Sequence, residues 1–296
     1  MDFLANYFSS LNPMSFLSAL PGNIAQGIIW GLMGLGVFLT FKLLNFADLS
    51  VDGSFATGGA VTAVMLIKGC PVWATIIVAI LAGLAAGLVT GLLHTLLGIP
   101  DILAGILTQI ALYSINLNIM GKSNLPISYR NYTLVVSASN INMAILVGLG
   151  ICAVVVAAMY WYFGTEQGST IRSTGSNPAM SKAQGININF TKVIALALSN
   201  GLVALSGSLF AQYQGFADIN MGRGAIVIGL AAVIIGEVLG EAIFRKHMNF
   251  IIRMLFVIVG GILYYIAMGI VLWLKMPTDD TKLFTAIIVA IFLAVP

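Results

Sequence analysis

Long apolar runs alternate with short polar segments along the whole chain, and the runs are unbroken. Most of them approach the ~20 residues that an α-helix needs to cross a bilayer. A closed β-barrel is excluded, because its strands would alternate apolar and polar positions over segments of about ten residues. The pattern predicts an all-α polytopic membrane protein, residues 1–296 forming one domain with about eight to nine transmembrane segments. The predicted segments are 23–44, 48–67, 72–97, 102–120, 142–163, 191–213, 224–238, 250–274 and 283–295.

Composition supports this class. Of the 296 residues, 59% are hydrophobic and 8% are charged, whereas about 25% are charged in ordinary soluble domains. The net charge of +3 lies in short loops, so it bears on topology and gives no reason to expect nucleic-acid binding. The two cysteines, Cys70 and Cys152, indicate neither a disulfide framework nor a metal site. We therefore expect a multi-pass protein surrounded by a lipid bilayer.

The first 22 residues differ from the rest of the chain. They carry no Lys or Arg, so the basic region of a removable signal peptide is missing. Apolar residues at helical spacing favour a short helix lying in the membrane interface over residues 1–22. A partly ordered tail is the alternative interpretation.

The chain contains an internal repeat. Phe46-Ala47-Asp48 recurs as Phe216-Ala217-Asp218 at an offset of 170 residues, and Gly59 falls on Gly229 at the same offset. Each copy interrupts an apolar run at a point where a membrane helix should break. Five predicted membrane passes separate the copies, and an odd number turns the second copy upside down. Inverted repeats with broken helices are typical of transporters.

The two breaks offer candidate residues for a transport path. Asp48, Asp52 and Gly53 belong to a turn rich in Asp, Ser and Gly, which favours a helix start. At bilayer depth the free N–H groups of such a start must face protein or a water-filled cavity, and they attract carboxylates. The second copy supplies Asp218 and Asn220.

Two features qualify this interpretation. Asp48 and Asp52 would serve equally as simple helix caps, without any role in transport. The copies also differ chemically, since Gly222 and Arg223 stand where the first copy has Asp52 and Gly53. The two halves are therefore not equivalent in charge.

A further polar face lies on the predicted segment 102–120. Gln109, Tyr113 and Asn116 are spaced i, i+4 and i+7, so they share one face of a helix. Polar side chains in a membrane helix usually face the bundle interior or a cavity. They would line a substrate path or, alternatively, form hydrogen bonds between helices or between subunits.

The longest polar stretch, residues 164–190, is interrupted by Gly and Pro. It suits a short helix on the membrane surface that is presented to a partner, with a solvated linker as the alternative. The basic cluster at 245–247 favours a cytoplasmic location for the same side. Gly121-Lys122-Ser123 is not a phosphate-binding loop, because Asn116 stands where the motif needs its first glycine. Any ATP-driven step would therefore need another polypeptide.

Three segments resemble one known family. They are similar to the permease subunit of bacterial ABC importers, within the branched-chain-amino-acid-type permease superfamily. The likeness is to the subgroup associated with aromatic amino acids such as tryptophan and tyrosine, and it covers nearly the whole chain. The segments are Leu43-Leu44-Asn45-Phe46-Ala47-Asp48-Leu49-Ser50-Val51-Asp52-Gly53-Ser54, Gly215-Phe216-Ala217-Asp218-Ile219-Asn220-Met221-Gly222, and the combination of Ile171-Arg172, Gly175-Ser176-Asn177-Pro178 and Gly185-Ile186-Asn187.

The resemblance implies a permease domain in the bacterial cytoplasmic membrane that imports a small solute, in the first instance an aromatic or branched-chain amino acid. It implies cytoplasmic ABC ATPase subunits, an extracytoplasmic solute-binding lipoprotein and a second permease copy forming a homodimer. ATP and magnesium would bind the ATPase, so this chain would hold no cofactor and would not be an enzyme. Residues 164–190 would form the cytoplasmic coupling loop that docks on the ATPase, through Arg172, Gly175, Asn177, Pro178 and Gly185.

Other functions fit the same residues. An ion-coupled secondary transporter working alone would use Asp48, Asp52, Asp218 and Glu237 as proton or sodium sites. An ABC importer for a sugar or a nucleoside also remains open, since related permeases carry both. A non-transporting assembly subunit is disfavoured, because irregular backbone at membrane depth is costly without a cavity to line.

Overall fold

The computed structural model describes residues 13–128, 132, 134–244, 248–274 and 281–294. The basic cluster at 245–247 lies outside them. A π-helical segment (Phe38–Leu43) extends the first helix, and a short 3-10 turn (Ala138–Asn140) precedes the fifth. The elements are α1 (Pro13–Val37), α2 (Val51–Ile67), α3 (Val72–Thr95), α4 (Asp101–Met120), β1 (Asn124–Pro126), α5 (Ile141–Phe163), α6 (Glu166–Ser176), α7 (Pro178–Ala183), α8 (Ile188–Gln214), β2 (Phe216–Asp218), α9 (Ala225–Phe244), α10 (Phe250–Trp273) and α11 (Thr281–Ala294).

The number of membrane segments agrees with the sequence prediction. Within the described residues, seven helices are long and apolar enough to cross a membrane, namely α1, α3, α4, α5, α8, α9 and α10. The shorter apolar helix α2 adds an eighth segment, and α11 is the ninth apolar helix. The predicted interfacial helix over 1–22 falls outside the described residues up to position 12. Its remaining part, 13–22, forms the first turns of α1.

The two repeats are inverted, as the parity of the passes predicts. Residues of α1 and α8 correspond at the 170-residue offset, and the two helices run antiparallel in contact. Three hydrogen bonds at seven-residue intervals show this, each from a side chain of α8 to a backbone carbonyl of α1. They join Ser199 to Gly36 (2.7 Å), Ser206 to Ile29 (2.7 Å) and Tyr213 to Gly22 (3.3 Å). Equivalent helices of the two halves therefore pack against each other at the centre of the fold.

Small residues and aromatic rings build the core around α8. Gly83 and Gly87 of α3 face the backbone of α8, and a Cβ at either position would overlap it. This close approach is the usual way in which membrane helices gain van der Waals contact. On the other side, Trp30 of α1 stacks on Phe55 of α2, with 4.7 Å between ring centroids, and meets Phe210 of α8 edge-on. The core thus unites both repeats.

Two irregular segments, 44–50 and 215–224, start the helices α2 and α9 inside the bundle. Ser50, directly before α2, lies 3.2 Å from Asn200, which is close to the midpoint of α8. The first residues of α9 contact Asp52 of α2, so α9 begins at the same level. The strands β1 and β2 pair antiparallel with Asn124 opposite Asp218, and they hold the start of the second irregular segment. The predicted broken helices are therefore present in both halves.

Candidate functional site

A cavity of about 330 Å³ lies where the first turns of α2 meet α4 and the loop before α9. It brings together five of the eight residues that the sequence predicts for the path: Asp52, Gly53, Gln109, Tyr113 and Asn116. The polar face of α4 therefore points into the cavity, opposite the start of α2. Sequence reasoning did not assign Ala56, Ile110, Ile219 and Arg223, which complete the lining.

Gly53 allows α2 and α4 to approach at this point. A Cβ on Gly53 would lie 2.9 Å from the Leu112 side chain and 3.2 Å from the Cα of Gln109. A larger side chain would separate the helices and disturb the cavity wall that they share. The glycine predicted for the path is thus required by packing between two of its walls.

Asp52 caps a helix of the opposite repeat. Its Oδ2 accepts a hydrogen bond from the Gly224 N–H and its Oδ1 accepts one from the Ile226 N–H, both at 2.9 Å. These amides belong to the start of α9, whose N-terminus carries a partial positive charge. The N-terminus of a broken helix was expected to attract the carboxylate of a ligand. At the start of α9, the protein's own Asp52 provides that carboxylate. It lies at the cavity and acts as a cap at the same time.

Asp48 lies outside the cavity, in a closed polar cluster. It is 2% exposed, and its carboxylate accepts hydrogen bonds from the Ser50 N–H, the Ser50 hydroxyl and the Asn200 side-chain amide. The Asn200 amide also donates to the Leu196 carbonyl at 3.0 Å. These contacts fix the turn before α2 to the middle of α8. The geometry gives Asp48 a place in the turn before α2, although its carboxylate accepts no N–H of α2 itself.

Asp218 and Asn220 also lie outside the cavity lining. Asp218 ends β2 and accepts a hydrogen bond from the Asn220 backbone N–H at 2.7 Å. At the position equivalent to Asp52, Gly222 packs so tightly against the Asp52 carbonyl that a Cβ would overlap it. The asymmetry between the copies therefore has a structural reason: the first copy provides the cap, and the second provides the helix that is capped.

The predicted coupling loop folds into two short helices, α6 and α7, joined at Asn177. The Asn177 N–H donates to the Ser173 carbonyl, and its side chain accepts from the Met180 N–H at 3.0 Å, so one residue ends α6 and starts α7. Pro178 occupies the first turn of α7, where a missing N–H costs no hydrogen bond. Gly185 ends the unit with a φ of +83°, a backbone conformation that favours glycine.

Gly175 and Arg172 attach this unit to the membrane helices. A Cβ on Gly175 would overlap the Leu43 carbonyl at the end of the π-helical segment. Arg172 turns inward, donating to the Phe163 carbonyl at 2.9 Å and placing its guanidinium 5.7 Å from the centre of the Phe250 ring. Met180 of α7, which sequence reasoning did not single out, is 59% exposed. Anchoring residues and outward-facing residues are therefore separate.

Comparison with known proteins identifies the family. Residues 22–296 match the family described as the branched-chain amino acid transport system / permease component. The chain belongs to this permease family. The match spans both repeats, the cavity and the α6–α7 unit.

Individual relatives agree with the assignment. The permease is 42% identical to the tyrosine transport system permease protein of Clostridioides difficile (strain R20291) over 279 residues, which cover 94% of this chain and 91% of that protein. It is 26% identical to the D-allose transport system permease protein AlsC of Escherichia coli (strain K12), covering 86% of this chain and 77% of that protein. The solved structure of PsaBC from Streptococcus pneumoniae in complex with Fab has a TM-score of 0.55 at 16% identity, with 99% of this chain and 96% of that chain covered. That structure supports the fold alone.

An ionic cluster of the permease lies next to the α6–α7 unit. Lys42 Nζ is 2.8 Å from one carboxylate oxygen of Glu237, and Arg253 is 3.8 Å from the other. The cluster joins the π-helical segment to α9 and α10. Glu237 is therefore paired with two cations, which leaves little reason to regard it as a free ion-binding site. Among the described residues, no three His, Cys, Asp or Glu side chains are grouped closely enough to hold a metal ion.

Proposed function

We propose that this permease is the membrane subunit of an ATP-driven importer for an amino acid. The observation that carries the proposal is the cavity between the starts of two broken helices from inverted repeats. Such a site, at the level where both helices begin, is where transporters with inverted repeats bind their substrates. A rocking motion of the two halves around it would open the path alternately to either side. The chain itself performs no covalent chemistry.

The α6–α7 unit supports coupling to a separate ATPase on the cytoplasmic side. Arg172 and Gly175 fix the unit to the ends of the membrane helices, so a push on it is transmitted to the π-helical segment before α2. Met180 presents an apolar side chain at its outer surface, suited to a pocket on a partner. ATP and magnesium would bind that partner. The remaining component would be an extracytoplasmic binding lipoprotein that delivers the solute.

The cavity also supports a second copy of the permease as a partner. It opens on the face of α4, where Tyr113 is 40% exposed, and Arg223 lies exposed at its edge. An arginine facing lipid is costly, and intramembrane charges normally face protein or water. A second copy covering this face in a homodimer would enclose the cavity between two permeases. We infer that the assembled importer has this arrangement.

An amino acid is the substrate class that the relatives favour. The relative from Clostridioides difficile is described as a tyrosine transport permease, whereas the more distant AlsC is described as a transporter of D-allose. We therefore assign the aromatic amino acids first and sugars second. The ion-coupled alternative has less support, since the carboxylates of Asp48 and Asp52 are already occupied by protein donors.

Two measurements test this function. The tagged permease is first purified from native membranes in mild detergent and its partners identified, with an ATPase and a solute-binding lipoprotein expected. The complex is then reconstituted in liposomes, and uptake of radiolabelled L-tyrosine, L-tryptophan and L-leucine is measured with and without ATP. Uptake that needs a proton or sodium gradient instead of ATP would reject the proposal.

The coupling surface is tested by Met180→Glu. A charge in an apolar docking pocket costs about 2 kcal/mol or more when the residue is a binding hot spot, so we expect a roughly 30-fold weaker hold on the ATPase. Met180→Leu is the matched control and keeps the apolar contact. Equal ATP-driven uptake by both variants would show that Met180 does not contact the ATPase. Loss of uptake in Arg172→Ala or Asn177→Ala is expected as well, because both residues hold the unit in place.

A further inference from the structure

One buried amide in the cavity lacks the hydrogen bonds that its environment demands. Asn116 is 1% exposed, and neither its side-chain nitrogen nor its side-chain oxygen has a partner among the described residues. A buried amide without partners is costly, and native proteins rarely keep one without a reason. Asn116 lines the cavity, so a bound molecule toward which its buried amide turned would provide the missing contacts.

A positive charge without a counter-ion lies on the wall of the same cavity. Arg223 borders the cavity from the loop before α9, and its guanidinium forms no ion pair or hydrogen bond within the part of the chain that the structure describes. The Asp52 carboxylate, which lines the same cavity, is turned to the amides of Gly224 and Ile226 instead. Because the α9 amides occupy Asp52, the charge of Arg223 remains available to a ligand.

The remaining lining suits the rest of a small zwitterion. Ala56, Ile110 and Ile219 offer apolar surface, and the ring of Tyr113 lies beside them. The volume of about 330 Å³ is at the lower end of the range for small-molecule sites, which is roughly 300–1,000 Å³. A cavity lined by one cation, the Asp52 carboxylate, the side-chain amides of Gln109 and Asn116 and an apolar wall is complementary to a zwitterionic amino acid with an apolar or aromatic side chain.

We propose that Arg223 and Asn116 contact the substrate within the membrane, Arg223 binding its carboxylate and Asn116 its polar backbone groups. This inference rests on the proposed function and goes further, since it gives the permease its own selection for carboxylate-bearing solutes. An arginine can hold a carboxylate through two parallel hydrogen bonds, and a ligand in the cavity is the missing partner for both groups.

The test is uptake by the complete importer, with the permease, its ATPase and its binding lipoprotein in liposomes. The quantity measured is the amount of L-tyrosine taken up per ATP hydrolysed. We expect Arg223→Gln to lower this ratio at least about tenfold, as would follow from a tenfold weaker binding of the substrate. Arg223→Lys keeps the charge and should recover a substantial part of the ratio.

Asn116→Leu separates substrate contact from a structural role. Leucine has a similar size and removes an amide without partners, so the melting temperature of the purified permease should stay equal or rise, while uptake per ATP falls. Asn118→Leu is the matched control on α4: Asn118 is exposed and does not line the cavity. It should leave the ratio as in the unaltered protein.

Each result has one meaning. A ratio within twofold of the unaltered value in both Arg223→Gln and Asn116→Leu overturns the inference and leaves the proposed function intact. A lower melting temperature for Asn116→Leu overturns the assignment of Asn116, because it would reveal a structural contact. If the unaltered complex moves D-allose, or nothing, but none of the three amino acids, both the proposed function and this inference fail.

Discussion

Two polar regions lie close together in this permease, and they differ in whether their buried polar groups have hydrogen-bond partners. Around Asp48, both carboxylate oxygens accept hydrogen bonds from Ser50 and Asn200, and the Asn200 amide nitrogen donates to the Leu196 carbonyl as well. Four residues further along, the cavity beside Asp52 leaves the Asn116 amide without partners and Arg223 without a counter-ion. In a membrane, where water does not satisfy such groups, a closed cluster stabilises the fold and an open one invites a ligand.

The largest expected effect comes from opening the closed cluster. Asn200→Leu removes a buried amide that donates to Asp48 at 2.7 Å, and it leaves the carboxyl without its partner on α8. Removing one partner of a buried hydrogen bond leaves the other group unsatisfied, which costs about 1 to 3 kcal/mol. We expect the free energy of unfolding, measured by reversible SDS titration in mixed micelles, to fall by an amount near the upper end of that range.

Asn116→Leu is the counterpart in the open region. The substitution is chemically identical and the site is equally buried, yet no hydrogen bond is lost. The free energy of unfolding should therefore stay equal or rise, since a buried amide without partners costs about 1 to 3 kcal/mol. If both leucine variants lost the same stability, the contrast between a closed and an open region would be wrong.

A smaller effect is expected at the boundary between the two regions. Asp52→Ala removes the cap of α9, which costs about 1 to 2 kcal/mol of stability at a helix N-terminus. Asp52→Asn keeps an oxygen that accepts from Gly224 or Ile226, so most of that stability should remain. The two variants are compared by the same SDS titration. An alanine variant as stable as the unaltered protein would show that the capping bonds contribute nothing.

Much of the architecture was predictable because it depends on periodic features of the sequence. The apolar runs predicted the helices, and the offset of 170 residues predicted the repeat. The odd number of membrane passes between the copies predicted that the repeat is inverted. The shared face of Gln109, Tyr113 and Asn116 was correct as well, since spacing along a helix fixes which side chains point together. These patterns lie in the sequence itself, so predicting from them needs no knowledge of contacts between distant residues.

The cavity itself depends on such contacts, and sequence reasoning reached it only in part. The partners of Asp52 are more than 170 residues away, so a cap across the repeats looks like a local cap in the sequence. Arg223 was noticed only as the counterpart of Gly53, and nothing in its surroundings shows that it would remain without a counter-ion. The one available signal was its charge in an apolar context, which indicates function by default.

The coupling unit shows the same division. Asn177, Pro178 and Gly185 carry local signals for a cap, a helix start and a turn, and each lies where that signal places it. Arg172 was expected to dock on the ATPase, whereas its side chain is directed to the Phe163 carbonyl and the Phe250 ring. Its contribution to docking stays a prediction. Whether a side chain faces inward or outward depends on tertiary packing that the motif does not contain.

The smallest effect is expected at a second closed polar contact, between two neutral side chains of α2 and α8. Thr62 of α2 donates to the Ser208 hydroxyl of α8 at 2.7 Å, and both side chains are fully buried. Thr62→Val keeps the shape of the side chain and removes its hydroxyl. The Ser208 hydroxyl that loses this donor is neutral and can turn to other acceptors. Hydrogen bonds between membrane helices contribute about 0.6 kcal/mol on average, so we expect a loss near that value in the SDS titration. A loss as large as that of Asn200→Leu would mean that closure of any polar pair, charged or neutral, stabilises the permease to the same extent. The expected small loss would instead identify the Asp48 carboxyl as the group on which the contribution of its cluster to stability depends.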